Sequence, residues 1–178
     1  MPALLARLDA RDRALFTRWT LAMREVPARG RLRWWRFITQ IGGTPVSIAS
    51  AAVPLALSAP GTLARTAAAQ AAMSLALSHA VIQLVKRTVG RPRPSQRTGC
   101  TTLVAEPECF SFPSGHATAA MAVAFAYAMA VPSLAVWSLP VAATVGFSRV
   151  RLGVHYPGDV LAGQVIAIVT AIAVRAAW

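Results

Sequence analysis

The chain of 178 residues is long enough for one domain, and 56% of it is hydrophobic with a mean hydropathy of +0.52, above the range of ordinary soluble proteins. A formal charge of +12 raises the question of a nucleic-acid partner, but the charges are segregated along the chain. Nine arginines fall between Arg7 and Arg36, whereas 37–64, 66–85, 109–148 and 152–174 hold almost no charge; this is the pattern of a membrane protein and argues against nucleic acid.

In the basic stretch 1–36, Leu4, Leu5, Leu8, Leu15, Phe16, Trp19, Leu21 and Met23 recur between the arginines. That spacing suits an amphipathic helix lying on an anionic membrane surface, and a charged flank that merely fixes topology is the plainer reading. Its apolar pieces are short and broken by arginine, so no secretory leader is expected there. A transmembrane domain follows over 37–178. A spanning helix needs ~20 mostly apolar residues, which predicts helices near 39–58, 66–86, 115–131, 134–150 and 158–177, about five crossings in an all-α integral membrane bundle. Pro60-Gly61, Pro132-Ser133 and the polar run 148–159 separate them. Pro54 and Pro140 fall inside expected helices, which a bilayer tolerates better than water does.

Spanning helices alternate in direction. If the helix near 66–86 ends on one face, those near 115–131 and 158–177 begin there, and the one near 134–150 ends there. Three polar clusters, KRTVGRPRP at 86–94, PSGH at 113–116 and SRVRLGVHYPGD at 148–159, are therefore expected at one membrane face.

Each cluster has a chemical reading. Ser114 is a candidate N-cap, and the open N–H groups of Gly115 and His116 at a helix start suit a phosphate; alone, PSGH is also simply a helix entrance. Lys86 is the only lysine among 18 basic residues. Its compact ammonium suggests a specific demand, against the plainer reading of a snorkelling helix end. Arg93 and Arg149 offer planar forks for phosphate oxygens. Arg87, Arg91, Arg97 and Arg151 suit solvent or lipid headgroups and are left outside the cluster. His155 and Asp159 stand four apart around Pro157-Gly158, so the carboxylate can fix the imidazole tautomer and free its other nitrogen for attack; a structural His–Asp bond closing a loop is the alternative. His79 lies in an apolar helix and is expected to be buried, neutral and hydrogen-bonded.

The order Lys86-x6-Arg93-Pro94, Pro113-Ser114-Gly115-His116, Ser148-Arg149-x5-His155-x3-Asp159 resembles the three-part signature of the type 2 phosphatidic acid phosphatase superfamily. The resemblance implies a metal-independent membrane phosphatase that needs no cofactor and works through a phosphohistidine. It implies His155 as nucleophile, Asp159 as its orienting group and His116 as the acid for the leaving oxygen. Lys86, Arg93, Ser114, the Gly115 amide and Arg149 would hold the phosphoryl oxygens. Many members have six spanning helices, and here the first is replaced by the basic segment. The implied partners are a lipid phosphate and the bilayer; no pattern in the sequence sets an oligomeric state.

Candidate substrates are phosphatidate, phosphatidylglycerophosphate, a polyprenyl phosphate or diphosphate, and a polyprenyl-linked sugar phosphate. A non-catalytic lipid-phosphate binding or transport protein is the alternative, but binding alone would need the cations and not the His116, His155 and Asp159 set. A vanadium haloperoxidase shares the signature but its soluble scaffold fits poorly. For a bacterial cell membrane the arginine-rich start favours a cytoplasmic active face. A disulfide between Cys100 and Cys109, in the loop on that face, would instead favour the extracytoplasmic side.

Overall fold

The computed structural model describes residues 2–23, 29–106 and 108–178, with side chains from Asp9 onward. Eight α-helices follow in order: α1 (Pro2–Trp19), α2 (Arg29–Ile41), α3 (Thr44–Leu57), α4 (Leu63–Val89), the short α5 (Pro94–Thr98), α6 (Gly115–Ala130), α7 (Ala135–Arg151) and α8 (Pro157–Ala176). A 3-10 turn, Pro132–Leu134, leads into α7.

The helices are inside-out relative to a soluble bundle. On α4 the buried row is mostly small or polar, with Ala67, Ala71, Ser74, Ser78 and Lys86 beside the single large apolar Ile82, while Met73, Leu77, Val81 and Leu84 are exposed. On α8 Leu161, Val165, Val169 and Ile172 face outward, and Gly163, Ala167 and Ala171 face in. Association in lipid has no hydrophobic drive, so close backbone packing through small residues replaces it. The alanine-rich α6 is the central helix, touching α3, α4, α7 and α8, and its many alanines let these neighbours approach closely.

Helix ends obey local chemistry. Thr62 caps α4 by accepting from the Arg65 N–H, and Gly90 ends it in the left-handed conformation (φ 58°). Pro54 inside α3 deprives the Ser50 carbonyl of its usual partner, and the Tyr127 hydroxyl donates to that carbonyl at 2.8 Å.

Five crossings are not confirmed. Among the described residues three helical stretches, Leu63–Val89, Pro132–Arg151 and Pro157–Ala176, are long and apolar enough to span, and α2 with α3, bent by 45°, makes a fourth if counted as one. At 16 residues α6 rises about 24 Å, less than the ~30 Å of hydrocarbon. Its neighbours enclose it, so the shortfall falls within protein. The bend between α2 and α3 is at Gly42-Gly43, where a Cβ on Gly42 would stand 2.8 Å from the His116 carbonyl oxygen and 2.5 Å from Val145 Cγ1.

The basic start packs against one end of the bundle. Phe16 and Leu21 are buried, Phe16 edge-on to Tyr156 with ring centroids 5.3 Å apart. Leu21 N–H donates to the Arg151 carbonyl at 2.9 Å, and the Arg151 guanidinium donates to the Trp19 carbonyl at 2.7 Å.

Candidate active site

The C-terminal ends of α4 and α7 and the N-terminal ends of α6 and α8 meet at that same end of the bundle, bringing the three polar clusters together. Ser114 N–H donates to the Asp159 carbonyl at 3.0 Å, so the starts of α6 and α8 are stitched backbone to backbone. A Cβ on Gly115 would lie 3.9 Å from Lys86 Nζ, which sets the ammonium beside the first turn of α6. Lys86 is also within electrostatic range of Arg93, Arg149 and Asp159, and His116 of Arg149, His155, Lys86 and Arg93. All eight sequence-expected residues, Lys86, Arg93, Ser114, Gly115, His116, Arg149, His155 and Asp159, thus converge.

Their burial is unusual for such groups. Lys86, Arg93, Arg149 and His155 are each at most 4% exposed, and Ser114 and Asp159 are fully buried. Arg93 donates from Nε to the Glu108 carbonyl at 2.6 Å and from NH1 to the Val154 carbonyl at 2.9 Å. Arg149 donates to Thr39 Oγ1 of α2 at 2.9 Å. Lys86 Nζ pairs with the Glu108 carboxylate, whose other oxygen accepts from Gln83 at 3.1 Å. Ser114 Oγ, Arg149 Nε and His155 Nδ1 are buried and form no hydrogen bond among the described residues.

His155 Nδ1 lies 3.6 Å from Asp159 Oδ2, longer than a hydrogen bond and within reach of one after a small ring rotation. Asp159 Oδ2 accepts the Tyr156 N–H at 2.8 Å and Oδ1 accepts from Arg91 at 2.6 Å. Burial, reinforced by Arg149 and Arg93 against the opposing pull of Asp159, lowers the His155 pKa to about 4, so the imidazole is neutral at physiological pH. Burial likewise lowers the Arg93 pKa.

A cavity of about 590 Å³ opens beside this cluster between α3, α4 and α6. Ile48, Ala51, Ala72 and Leu75 line its apolar body, and Glu108, Gly115 and His116 its polar end. His79 also lines it. The expectation of a buried His79 is therefore corrected: the side chain is exposed, with Nε2 3.4 Å from Gln83 Nε2. One residue beyond Ser78 turns the chain by about 100°, off the buried row and into the cavity.

Three participants were not expected from sequence. Thr39 and Glu108 carry no spacing signal. Arg91, set aside with Arg87, Arg97 and Arg151, instead touches Asp159, and the alternating GRPRP run does not distinguish it from Arg93.

Fold and cluster together define an all-α integral membrane protein with a buried site of cations and imidazoles at one helix end. The PAP2 superfamily model matches residues 67–178, and the chain belongs to that superfamily. It is similar to decaprenylphosphoryl-5-phosphoribose phosphatase of Mycolicibacterium smegmatis, 40% identical over 115 residues that make up 61% of each chain. Lipid A 1-phosphatase of Rhizobium etli is 35% identical over 95 residues, 51% of this chain and 41% of that one. The matches thus span about three-fifths or less of these relatives' length. The PAP2-type phosphatidylglycerolphosphate phosphatase crystal structure from Bacillus subtilis superposes with a TM-score of 0.74 at 22% identity, covering 96% of this chain and 85% of that one. LpxE of Aquifex aeolicus gives 0.72 at 19%, covering 85% and 88%. Both likenesses concern the fold.

Proposed function

We propose that the protein is a membrane phosphatase that hydrolyses a phosphate ester of a lipid through a phosphohistidine at His155. The observation that carries this reading is the set of buried polar atoms without partners among the described residues, Ser114 Oγ, Arg149 Nε and His155 Nδ1, in one cluster with Lys86, Arg93 and His116. Unsatisfied buried groups are costly, and a tetrahedral oxyanion offers acceptors to the first two of them.

In the proposed reaction His155 Nε2 attacks phosphorus while the bond to the lipid oxygen breaks. His116 gives its proton to that oxygen, and the lipid leaves as an alcohol. Water then attacks the phosphohistidine, neutral His116 takes up its proton, and inorganic phosphate departs. Lys86, Arg93, Arg149, Ser114 and the Gly115 N–H hold the three equatorial oxygens, where charge spreads in the transition state. Three side-chain cations supply the stabilisation that a divalent ion gives other phosphatases. Asp159 closes on His155 Nδ1 when substrate binds, as catalytic hydrogen bonds often tighten in the complex.

The cavity beside His116 takes the first part of the lipid tail. The similar proteins act, by their names, on decaprenylphosphoryl-5-phosphoribose and lipid A; the first supports the polyprenyl-linked sugar phosphate, and the second adds a saccharolipid phosphate to phosphatidate, phosphatidylglycerophosphate and polyprenyl (di)phosphate as candidates. We place residues 1–36 on the surface of a bacterial cell membrane beside the transmembrane domain 37–178, with the active face cytoplasmic. Cys100 and Cys109 stand as free thiols, which supports this face.

The test is phosphate release by the purified chain from a panel of lipid phosphates with EDTA present, and acid-labile phosphohistidine in the quenched enzyme. Turnover that survives His155→Ala would overturn the assignment. Binding of lipid phosphate with no release by the intact chain would favour a binding or transport protein.

A further inference from the structure

We infer that Arg91, clamped by Asp9 and Asp12 of α1, is a positioning residue for the His155–Asp159 pair, making the N-terminal helix a working part of the catalytic apparatus. This rests on the reading of His155 as nucleophile.

Asp159 is fully buried and uses its two oxygens differently. Oδ2 faces His155 and accepts the Tyr156 N–H, whereas Oδ1 accepts from Arg91 NH1 at 2.6 Å. Without Arg91, Oδ1 would be a buried charged acceptor with no partner, and the single bond from the Tyr156 N–H to Oδ2 would leave the carboxylate plane free to turn about that contact. Arg91 is fixed in turn from three sides. Its NH2 meets Asp9 Oδ1 at 2.8 Å, its NH1 meets Asp12 Oδ2 at 2.7 Å, and its guanidinium lies 4.1 Å over the Tyr156 ring. The side chain is only 15% exposed. Burial opposes its charge, but the Asp159, Asp12 and Asp9 carboxylates outweigh burial and raise its pKa.

Asp12 grips the assembly twice. Its Oδ1 accepts the Gly158 N–H at 2.7 Å, one of the open donors at the start of the helix that carries Asp159. The fit is close, since a Cβ on Gly158 would stand 2.8 Å from Asp12 Oδ2. Three of the six acidic residues in this strongly cationic chain therefore meet at one guanidinium, and a planar fork is the side chain that can serve them together. A simple anchor for α1 would not need to reach the catalytic carboxylate.

The experiment uses the full chain in detergent micelles, with Arg91→Gln, Arg91→Lys and Asp12→Asn. Arg91→Gln is expected to lower kcat about tenfold to a hundredfold, by analogy with the outer partners that orient metal-binding histidines and carboxylates, while KM and the inhibition constant of inorganic phosphate stay within twofold. Arg91→Lys should recover part of the loss, and Asp12→Asn should show a smaller fall of the same kind. The pH profile adds a second readout. His155 faces Asp159, Arg149, Arg93 and His116. Removing the cation on Asp159 strengthens the carboxylate's pull on an imidazolium, so the acid limb of kcat/KM should move to higher pH.

In an Asp159→Asn background Arg91→Gln should cost little more, because its route of action is already gone. Unchanged kcat, a rise in KM alone, an unmoved acid limb, or full additivity with Asp159→Asn would each overturn the proposal. If Arg91→Gln does not fold, Asp12→Asn carries the same test, and an unchanged kcat there is equally fatal. Phosphohistidine trapping in the wild-type enzyme separates the two levels. Absence of the adduct defeats the His155 reading itself, whereas an adduct together with an indifferent Arg91 defeats only this one.

Discussion

Gly163→Ala tests whether the packing of α8 on the start of α6 governs the site. Gly163 stands one turn beyond Asp159 on α8. A methyl group there would meet Thr118 Oγ1 at 2.6 Å and the Ser114 carbonyl oxygen at 2.8 Å, while ordinary contact begins near 3.4 Å. That carbonyl cannot swing aside freely, because it accepts from both Thr118 N–H at 3.0 Å and Thr118 Oγ1 at 2.8 Å. The start of α6 must therefore withdraw from α8 by about half an ångström, and overpacking of this kind costs about 1–3 kcal/mol. Withdrawal stretches the bond from Ser114 N–H to the Asp159 carbonyl and carries Ser114, Gly115 and His116 away from His155. Since a 1 Å misplacement can cost about a hundredfold in rate, about a tenfold fall in kcat/KM is expected from half that distance.

Phosphate release from a lipid phosphate in micelles measures the rate, and thermal unfolding in the same detergent measures the strain. Adding Thr118→Ala should recover part of the stability but little of the rate, because the Ser114 carbonyl remains in the way. Full activity with an unchanged unfolding midpoint in Gly163→Ala would refute the close backbone contact and the coupling argued from it.

Glu108 sits on the Lys86 ammonium that the proposed reaction needs for phosphate, so Glu108→Gln should lower the inhibition constant of inorganic phosphate by removing a competing anion; weaker inhibition would contradict this. His155 is held at a pKa of about 4 by burial, so lowering pH should protonate it only near that value. NMR titration of a labelled His155 ring should give a midpoint close to 4, and one near the ordinary 6.5 would show an imidazole more solvated than the structure has it. A membrane-impermeant thiol reagent should leave Cys100 and Cys109 untouched in sealed cells and label them after lysis, and labelling before lysis would reverse the proposed orientation.

The helices that bear the site were legible because punctuation and chemistry coincide there. The stretch expected at 115–131 is Gly115–Ala130, that at 158–177 is Pro157–Ala176, and that at 134–150 is Ala135–Arg151. Pro, Gly and Ser mark each start, and apolar continuity does the rest. The first expected span, 39–58, failed as one straight helix because Gly42-Gly43 bends the chain where it must clear His116 and Val145. Direction alternation foretold which clusters meet, since it depends only on helix count between them. Partner choice did not follow from spacing. Arg91 and Arg93 are two residues apart in one extended run, yet one reaches Asp159 and the other the Glu108 and Val154 carbonyls. Arg149 finds Thr39 across 110 positions. Such pairs arise from the relative placement of helices, which local pattern does not encode.

Helix polarity explains why one end of the bundle can hold so many cations. Lys86 and Arg149 lie in the last turns of α4 and α7, where unpaired carbonyls favour positive charge. Ser114 and Asp159 lie at the starts of α6 and α8, where open N–H groups favour an anion. In an alternating bundle these two kinds of end are necessarily neighbours. Cations anchored on the negative ends thus face open N–H groups on the positive ends. Moving Lys86 or Arg149 to the start of a neighbouring helix would preserve net charge and even approximate position, yet it would set the cation against the dipole. Lys86 on α4 and Arg149 on α7 therefore sit where helix polarity favours a cation, and the same electrostatics suit the start of α6 to the phosphoryl group of the proposed reaction.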